Sequence, residues 1–566
     1  MSYIDWIVLT VTLTAMLLYG VLVGRGQKNN QSYLKGGNQM PWYMVLFGVM
    51  ATQASAITFI AEPGQAYTDG MRFVQYYFGM PLAMIVICVT FIPIFQRLNV
   101  YTAYEYLEQR FDKRTRVLTS LLFLLSRGLS TGVSIYAPSI ILSSILHWNI
   151  YLTNVLMGGI LLIYTYIGGA KAVAKTQQWQ LLIILVTMGF AGFLVVKNMP
   201  HGTSFGDALY LAGKSGKLNV INTKFDWKDK YNIWSGLIGG FFLALSYFGT
   251  DQSQVGRYIS AKDTTSSRLG LLLNGLVKIP MQFGILLIGA LLFSMFSLKP
   301  APMYFDENSL QALKEHAPQQ AAILEREHTK LEQQLQNQSA LLLSQRHANV
   351  ALDIQNKTLQ SYQNTQESIK SLHTRTEKAI NDANLSPEKD DTNYVFLYFV
   401  KNTLPVGLIG LLFAAIFLAN WGSTSAALNS LAVSSLIDVQ MPLTNGRIDD
   451  IKQLRYGRLH TLAWGIFCIL VAFIASKMGS LIEAVNVLGS IFYGTILGIF
   501  LVAFYIKRIN TSVIFGSIIC AQILVVVIYF LDVVSFLWLN VVGALLVILF
   551  AATGTVLLGK NKPQSV

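Results

Sequence analysis

Apolar stretches of about twenty residues recur along this chain, separated by shorter segments rich in Gly, Pro, Asn and basic residues. Each is long enough to cross a ~30 Å hydrocarbon core as a helix. The pattern predicts about thirteen membrane-spanning helices, at roughly 5–24, 41–61, 75–97, 117–146, 148–168, 177–197, 231–252, 270–297, 405–436, 457–476, 481–506, 511–532 and 534–558. The first run, Trp6 to Val23, has no basic region before it and no small-residue cleavage site after it, so it reads as a retained helix rather than a signal peptide.

One segment breaks the rhythm. Residues 300–393 are polar, rich in Gln, Glu, Lys and Ser, and almost without Gly or Pro beyond Pro318. "EREHTKLEQQLQNQSALLLSQ" has helix-forming composition, with Leu331, Leu335 and Leu342 at loose helical spacing. The expectation is an extramembrane helical hairpin, serving either as a solvated spacer or as a contact for an unknown partner.

Composition agrees with a polytopic membrane protein. The chain has 566 residues, 53% hydrophobic and 13% charged, against roughly a quarter charged in soluble domains. A net charge of +13 raises nucleic acid as a partner, but the basic residues cluster at helix ends, where they encode topology. Arg25, Lys28 and Lys35 follow the first span; Arg97, Arg110, Lys113, Arg114 and Arg116 follow the third; Lys171 and Lys175 follow the fifth. Arg257, Lys262 and Arg268 follow the seventh, Arg447, Lys452, Arg455 and Arg458 the ninth, Lys507 and Arg508 the eleventh, and Lys560 and Lys562 close the chain. The positive-inside rule then sets the N-terminus outside and the C-terminus in the cytoplasm. The lysine-rich connection 198–230 runs against the pattern, though longer loops weigh less in that rule.

Cys88, Cys468 and Cys520 lie singly in apolar runs, without ligand spacing, and read as small buried apolar residues. His147, His201 and the other histidines are isolated. No catalytic constellation emerges, so an enzyme is not expected.

Two apolar regions carry unusual chemistry. "ATQASAITFIAEPG", residues 51–64, is written in small residues and side-chain oxygens and runs into Pro63-Gly64. "LFAAIFLANWGSTSAALNS", residues 412–430, repeats the mixture with Ser423, Thr424, Ser425 and Ser430. Small residues also favour close helix packing, and hydroxyls can bond back to their own helix. Unpaired carbonyls in lipid are costly unless they line a cavity or coordinate an ion. Two such segments fit a cation cage where discontinuous helices meet near the midplane.

A third stretch, "YTYIGGAKAVAKTQQWQ" at 164–180, is specific: Gly168, Gly169, Ala172, Val173, Thr176 and Gln180 follow T-x-x-G-G-x-x-A-V-x-x-T-x-x-x-Q. With it, "SYFGTDQSQVGRY" (246–258) and "AALNS" resemble the sixth and eighth core helices of the sodium:solute symporter family. The resemblance covers essentially the whole chain outside 300–393, and it is nearest to members that carry monocarboxylates, vitamins and small anions.

That resemblance implies an all-α integral membrane protein with the leucine-transporter fold, two inverted five-helix repeats whose first helices (the first and sixth of the core) are discontinuous. The division would be an N-terminal helix and loop at 1–40, a first repeat at 41–197, an extracytoplasmic loop at 198–230, a second repeat at 231–506 interrupted by the 300–393 insert, and two final helices with a tail at 507–566. It implies one coupling Na⁺ held by carbonyls of Ala51, Ala54 and Ala419 and the hydroxyl of Ser423. Gly422 stands where the family often has the first of two hydroxyls, leaving Thr424 or a water to substitute. Members with a further sodium place an Asp after the Thr of the glycine motif; Gln177 stands there, so a single ion is expected. No buried carboxylate is expected at the site to carry a proton instead.

For solute contacts or gates the candidates are Gln53, Thr58, Gln75, Arg127, Tyr247 and Asn486, with Tyr247 at the family's inner-gate aromatic position. Arg127 lies ten residues into its predicted helix, ~15 Å deep at 1.5 Å per residue. It either pairs with a carboxylate solute or faces the cytoplasmic vestibule and neighbouring carbonyls. Asp251, at a helix exit, reads as a cap or structural partner. The function implied is sodium-coupled import of a small organic solute, a carboxylate, other anion or sugar-like compound, across a bacterial inner membrane. The alternatives are a proton-coupled symporter and a transporter-fold sensor, the latter less favoured because the chain ends at "GKNKPQSV" without a signalling domain.

Overall fold

The computed structural model describes residues 1–24, 40–98, 100–386, 390–444 and 450–558, and side chains in 167–175 fall outside that description. The basic loops at 25–35 and 445–449 and the tail after 558 therefore lie outside the described residues. What is described is helical, with one isolated bridge between Met40 and Ala261.

Ten helices are long and apolar enough to cross a membrane, and a bent pair, Trp42–Gln53 with Ala56–Asp69, makes an eleventh span. Two shorter apolar helices, Ile150–Tyr166 and Ser235–Thr250, occupy the places of predicted spans at 148–168 and 231–252. The helical element Ile150–Lys197 runs through both predicted spans on either side of the glycine motif. Its halves fold against each other: the Tyr164 hydroxyl meets Thr176 Oγ1 at 2.9 Å, whereas twelve residues of straight helix would separate their backbones by ~18 Å.

The span predicted at 41–61 is broken, as the resemblance implies for the first core helix, but the break does not fall at Pro63-Gly64. The chain bends by 60° at Ala54–Ser55, and Pro63, expected at the end of this element, lies inside the helix that continues to Asp69. Packing overrides the proline there. A Cβ on Gly64 would come within 1.9 Å of Thr392 O, and one on Gly289 within 2.1 Å of Pro63 O, so neighbouring backbone closes on both sides of the turn. The helix stops instead at Gly70, whose φ of 76° suits glycine.

Exposure sorts helices that the sequence leaves alike. Leu408–Ser434 is buried almost throughout, at the centre of the bundle, while Thr511–Phe530 turns most of its surface outward. Cys520 goes with that outer surface, unlike the buried Cys88 and Cys468, which corrects the expectation for one of the three. The N-terminal helix Tyr3–Gly24 docks on the central helix: Asp5 Oδ1 accepts from Gly407 N at 2.6 Å, a carboxylate at a helix start.

The 300–393 insert folds as Glu307–His316, Pro318–His347 and Leu352–Asp382, the last two forming a hairpin. It has apolar cores of its own, one around Tyr304, Leu324 and Leu372 and another around Leu335, Leu342 and Tyr362, with Leu331 partly buried beside the first. It is neither free-standing nor a loose spacer. Asp207 in the 198–230 connection binds Arg346 at 3.1 Å and His347 at 2.9 Å, and Thr392 packs on Gly64.

Candidate functional site

At Ala54–Ser55 the backbone leaves helical geometry, with ψ of 80° and 175° and no side chain capping either helix end. Ala54 N still donates to Met50 O at 2.9 Å and Ser55 N turns to Gln53 O at 3.0 Å. Among the described residues the carbonyls of Ala51 and Ala54 accept no hydrogen bond. Ala51 and Ala54 are buried. A buried carbonyl without a donor costs roughly 1–3 kcal/mol unless something else supplies positive charge.

Opposite the break lies the central helix. Thr52, Gln53 and Ser55 border the same cavity as Ser423 and Thr424, a space of about 130 Å³. Ser423 donates to Asn420 O at 3.2 Å, which leaves its oxygen lone pairs available. Ala419 is buried one turn earlier. Gly422 is placed differently from the expected set. Its carbonyl accepts from Gln177 Nε2 at 2.9 Å, and a Cβ there would lie 2.4 Å from Gln180 Oε1. The two glutamines fill the space a second hydroxyl would need.

Five of the six solute candidates, Gln53, Thr58, Arg127, Tyr247 and Asn486, line the cavity. Gln53 Nε2 donates to Asn274 Oδ1 at 3.1 Å; Tyr247 OH accepts from Gln254 at 2.7 Å; Asn486 Oδ1 accepts from Tyr76 OH at 2.9 Å. Gln75 is elsewhere. It is fully buried and spends its amide on Tyr231 O at 3.0 Å and Asn222 N at 3.1 Å, fastening the outer loop. Arg127 stands 5.9 Å from the Tyr247 ring centroid and pairs with Asp251 at 4.0 Å. It therefore faces the cavity with a carboxylate behind it.

Asp251 marks a second break. Gly240–Thr250 ends there and Gln252–Ile259 begins, with Asp251 accepting from Ser253 N at 2.8 Å and from Tyr493 OH at 3.0 Å. Cap and partner are thus one residue.

Sequence reading passed over two ionisable groups. Glu62 is wholly buried in the outer half of the broken helix, and Lys278 is 2% exposed in Thr264–Leu298. Glu62 does not line the cavity, but it bonds Gln282 and Tyr77, and Tyr77 does line it. A charged residue within an apolar span is a functional signal by itself, and Glu62 and Lys278 both carry it in the sequence.

Beyond the residues lining the cavity lie two polar clusters. On the side of the insert Glu483 receives Lys230 at 2.7 Å and Tyr231 at 3.1 Å, and Gln65 accepts from Ser480 at 2.8 Å. On the other side Asp438 takes Arg116 at 2.8 Å and Thr102 at 2.5 Å.

A broken spanning helix beside a cavity at the centre of a helical bundle fits the leucine-transporter-like architecture of secondary transporters. The solved structure of a Na⁺-coupled sialic acid symporter, substrate-bound and outward-open, superposes over 100% of both chains with a TM-score of 0.76 at 22% identity. The chain belongs to the sodium:solute symporter family, whose pattern it matches over residues 33–323 and 370–520. It is 31% identical to human sodium-coupled monocarboxylate transporter 1 over 48% of this chain and 44% of that protein. It is 23% identical to the sodium/sialic acid symporter NanT of Aliivibrio fischeri over 96% and 92% of the two. The match thus spans less than half the length of the human relative.

Proposed function

We propose that this protein is a sodium-coupled symporter that imports a small organic anion by alternating access. The observation that carries the reading is the uncapped break at Ala54–Ser55, which borders, through Ser55, the same cavity as Ser423. Carbonyl and hydroxyl oxygens with no carboxylate among them suit a hard monovalent cation. Ala51, Ala54, Ala419 and Ser423 form the ion site, with Thr424 beside it and Gly422 contributing closeness of approach rather than a ligand. A single Na⁺ is favoured by Gln177, which donates to Gly422 O. Sodium would order the hinge of the broken helix and so bias closure of its outer half, a shift the ion's differential affinity for the two states can drive.

The anionic solute is supported by the cations Arg127 and Lys278 in the cavity wall, where no carboxylate is exposed. An orientation with the N-terminus outside, the C-terminus inside and the 300–393 insert extracytoplasmic is supported by the charge of the short loops. Glu62 favours a second reading, proton coupling.

The test is thermal stability of the purified protein in NaCl against KCl at equal ionic strength, for wild type and Ser423→Ala. A ligand that binds only the folded state raises apparent stability. A sodium-specific rise in Tm that Ser423→Ala loses is expected. Identical curves in the two salts would sink sodium coupling, and a pH-dependent stabilisation in its place would favour the proton.

A further inference from the structure

Lys278 is a buried cation without a bonding partner. It borders the cavity, its ammonium lies 5.6 Å from the centroid of the Tyr77 ring, and among the described residues it makes no hydrogen bond or ion pair. A desolvated ammonium has three donors to satisfy, and leaving them unused costs several kcal/mol. Glu62 supplies a balancing charge but not a bond. Both its oxygens accept from Gln282 Nε2, at 2.6 Å each, and Tyr77 OH approaches at 3.4 Å. Gln282 is one turn along the same helix from Lys278, so the amide holds the carboxylate where the ammonium would otherwise reach.

Arg127 is partly engaged, over Tyr247 and 4.0 Å from Asp251, although its buried Nε has no partner. The cavity has a further unused donor: Asn486 receives Tyr76 OH on Oδ1, while its buried Nδ2 has no partner. An ammonium without a bond and a buried amide N–H without a partner, both on residues lining one small cavity, call for a ligand made of acceptors.

Charge fixes the class further. The cavity wall has Arg127 with Asp251 behind it and Lys278 with Glu62 behind it, a sum of zero. Adding one Na⁺ leaves +1 in a desolvated space, which a single negative charge cancels. We propose that Lys278, assisted by Asn486, is the receptor for the carboxylate of a small monocarboxylate solute, with Glu62 and Gln282 positioning the ammonium. This rests on the sodium-coupled reading above.

The experiment measures Tm of the full-length protein in NaCl while pyruvate, lactate, propionate or nicotinate is titrated as the choline salt. Lactamide and nicotinamide serve as uncharged counterparts. At least one carboxylate is expected to stabilise the wild type, its amide having little effect. Lys278→Met should weaken the apparent affinity by about thirtyfold or more, as loss of a buried charge contact does, while keeping the NaCl-over-KCl shift that reports the ion site. Unchanged carboxylate affinity in Lys278→Met overturns the proposal, as does a wild type that responds to sodium but to none of the four carboxylates. If Lys278→Met does not fold, equal wild-type affinity for a carboxylate and its amide overturns it. A wild type indifferent to sodium sinks the underlying reading and the proposal with it.

Discussion

The two helix breaks are built on opposite principles. At Ala54–Ser55 no side chain caps either half, the carbonyls of Ala51 and Ala54 accept no hydrogen bond among the described residues, and Ser55 borders the cavity that Ser423 lines. At Asp251 the chain seals its own break: the carboxylate caps Gln252–Ile259, takes the Tyr493 hydroxyl and pairs with Arg127. A break between two helices therefore yields unpaired carbonyl oxygens in one place and a satisfied structural joint in the other. An unwound helix is by itself no evidence of an ion site; what matters is whether the protein has already satisfied the groups it frees.

That contrast can be broken from its stronger side. Asp251→Ala should remove the seal and leave the Arg127 charge buried and unpaired, costing roughly 3–5 kcal/mol. Denaturation should register a large loss of stability in NaCl and KCl alike. A loss confined to sodium would mean that the second break holds the ion as well.

A smaller effect is expected beside the first break. Gly422→Ser would press a side chain onto Gln180 Oε1, 2.4 Å from its Cβ position, an overpacking cost of ~1–3 kcal/mol. It should lower Tm without enlarging the sodium shift, and Gln180→Ala should restore part of the loss. An enlarged sodium shift in Gly422→Ser would show that a second hydroxyl can join the site after all.

The smallest effect concerns the strap that covers the outer half of the broken helix. His373 Nε2 and Asp391 Oδ1 are 2.9 Å apart, and Asp391 precedes the Thr392 that packs on Gly64. Burial pulls the His373 pKa down, but the Asp391 carboxylate outweighs it and holds the imidazolium up to about 9, against ~6.5 in an unfolded chain. A raised pKa stabilises the fold fully below about pH 6.5, and that contribution is lost as the pH rises through 9. Tm should therefore fall by roughly 1–2 °C over that window, and His373→Ala should flatten the dependence. A wild type whose Tm is level from pH 6.5 to 9 would show that this pair does not hold the strap.

Much of this was legible along the chain. Hydrophobic run length alone marked the spans, because lipid demands about twenty apolar residues whatever surrounds them. The small, oxygen-rich runs at 51–64 and 412–430 marked the first break and its partner, because such residues are poor lipid-facing material. Sequence placed Gln53, Thr58, Arg127, Tyr247 and Asn486 as candidates, and these five share the cavity. It misplaced Gln75, whose polarity serves the loop around Tyr231.

What the sequence determined by itself was membrane residence, the number of spans to within a few, and the family, since these rest on local composition and spacing. Tertiary structure alone decided where the first helix breaks, that Pro63 stays inside it, and that Gly422 faces glutamines. It alone set Lys278 at the cavity with its donors free while Glu62 is bound to Gln282. Those outcomes depend on which backbones approach one another and which polar groups find partners. Both are properties of contacts between residues hundreds of positions apart, and neither is written in any single stretch of chain.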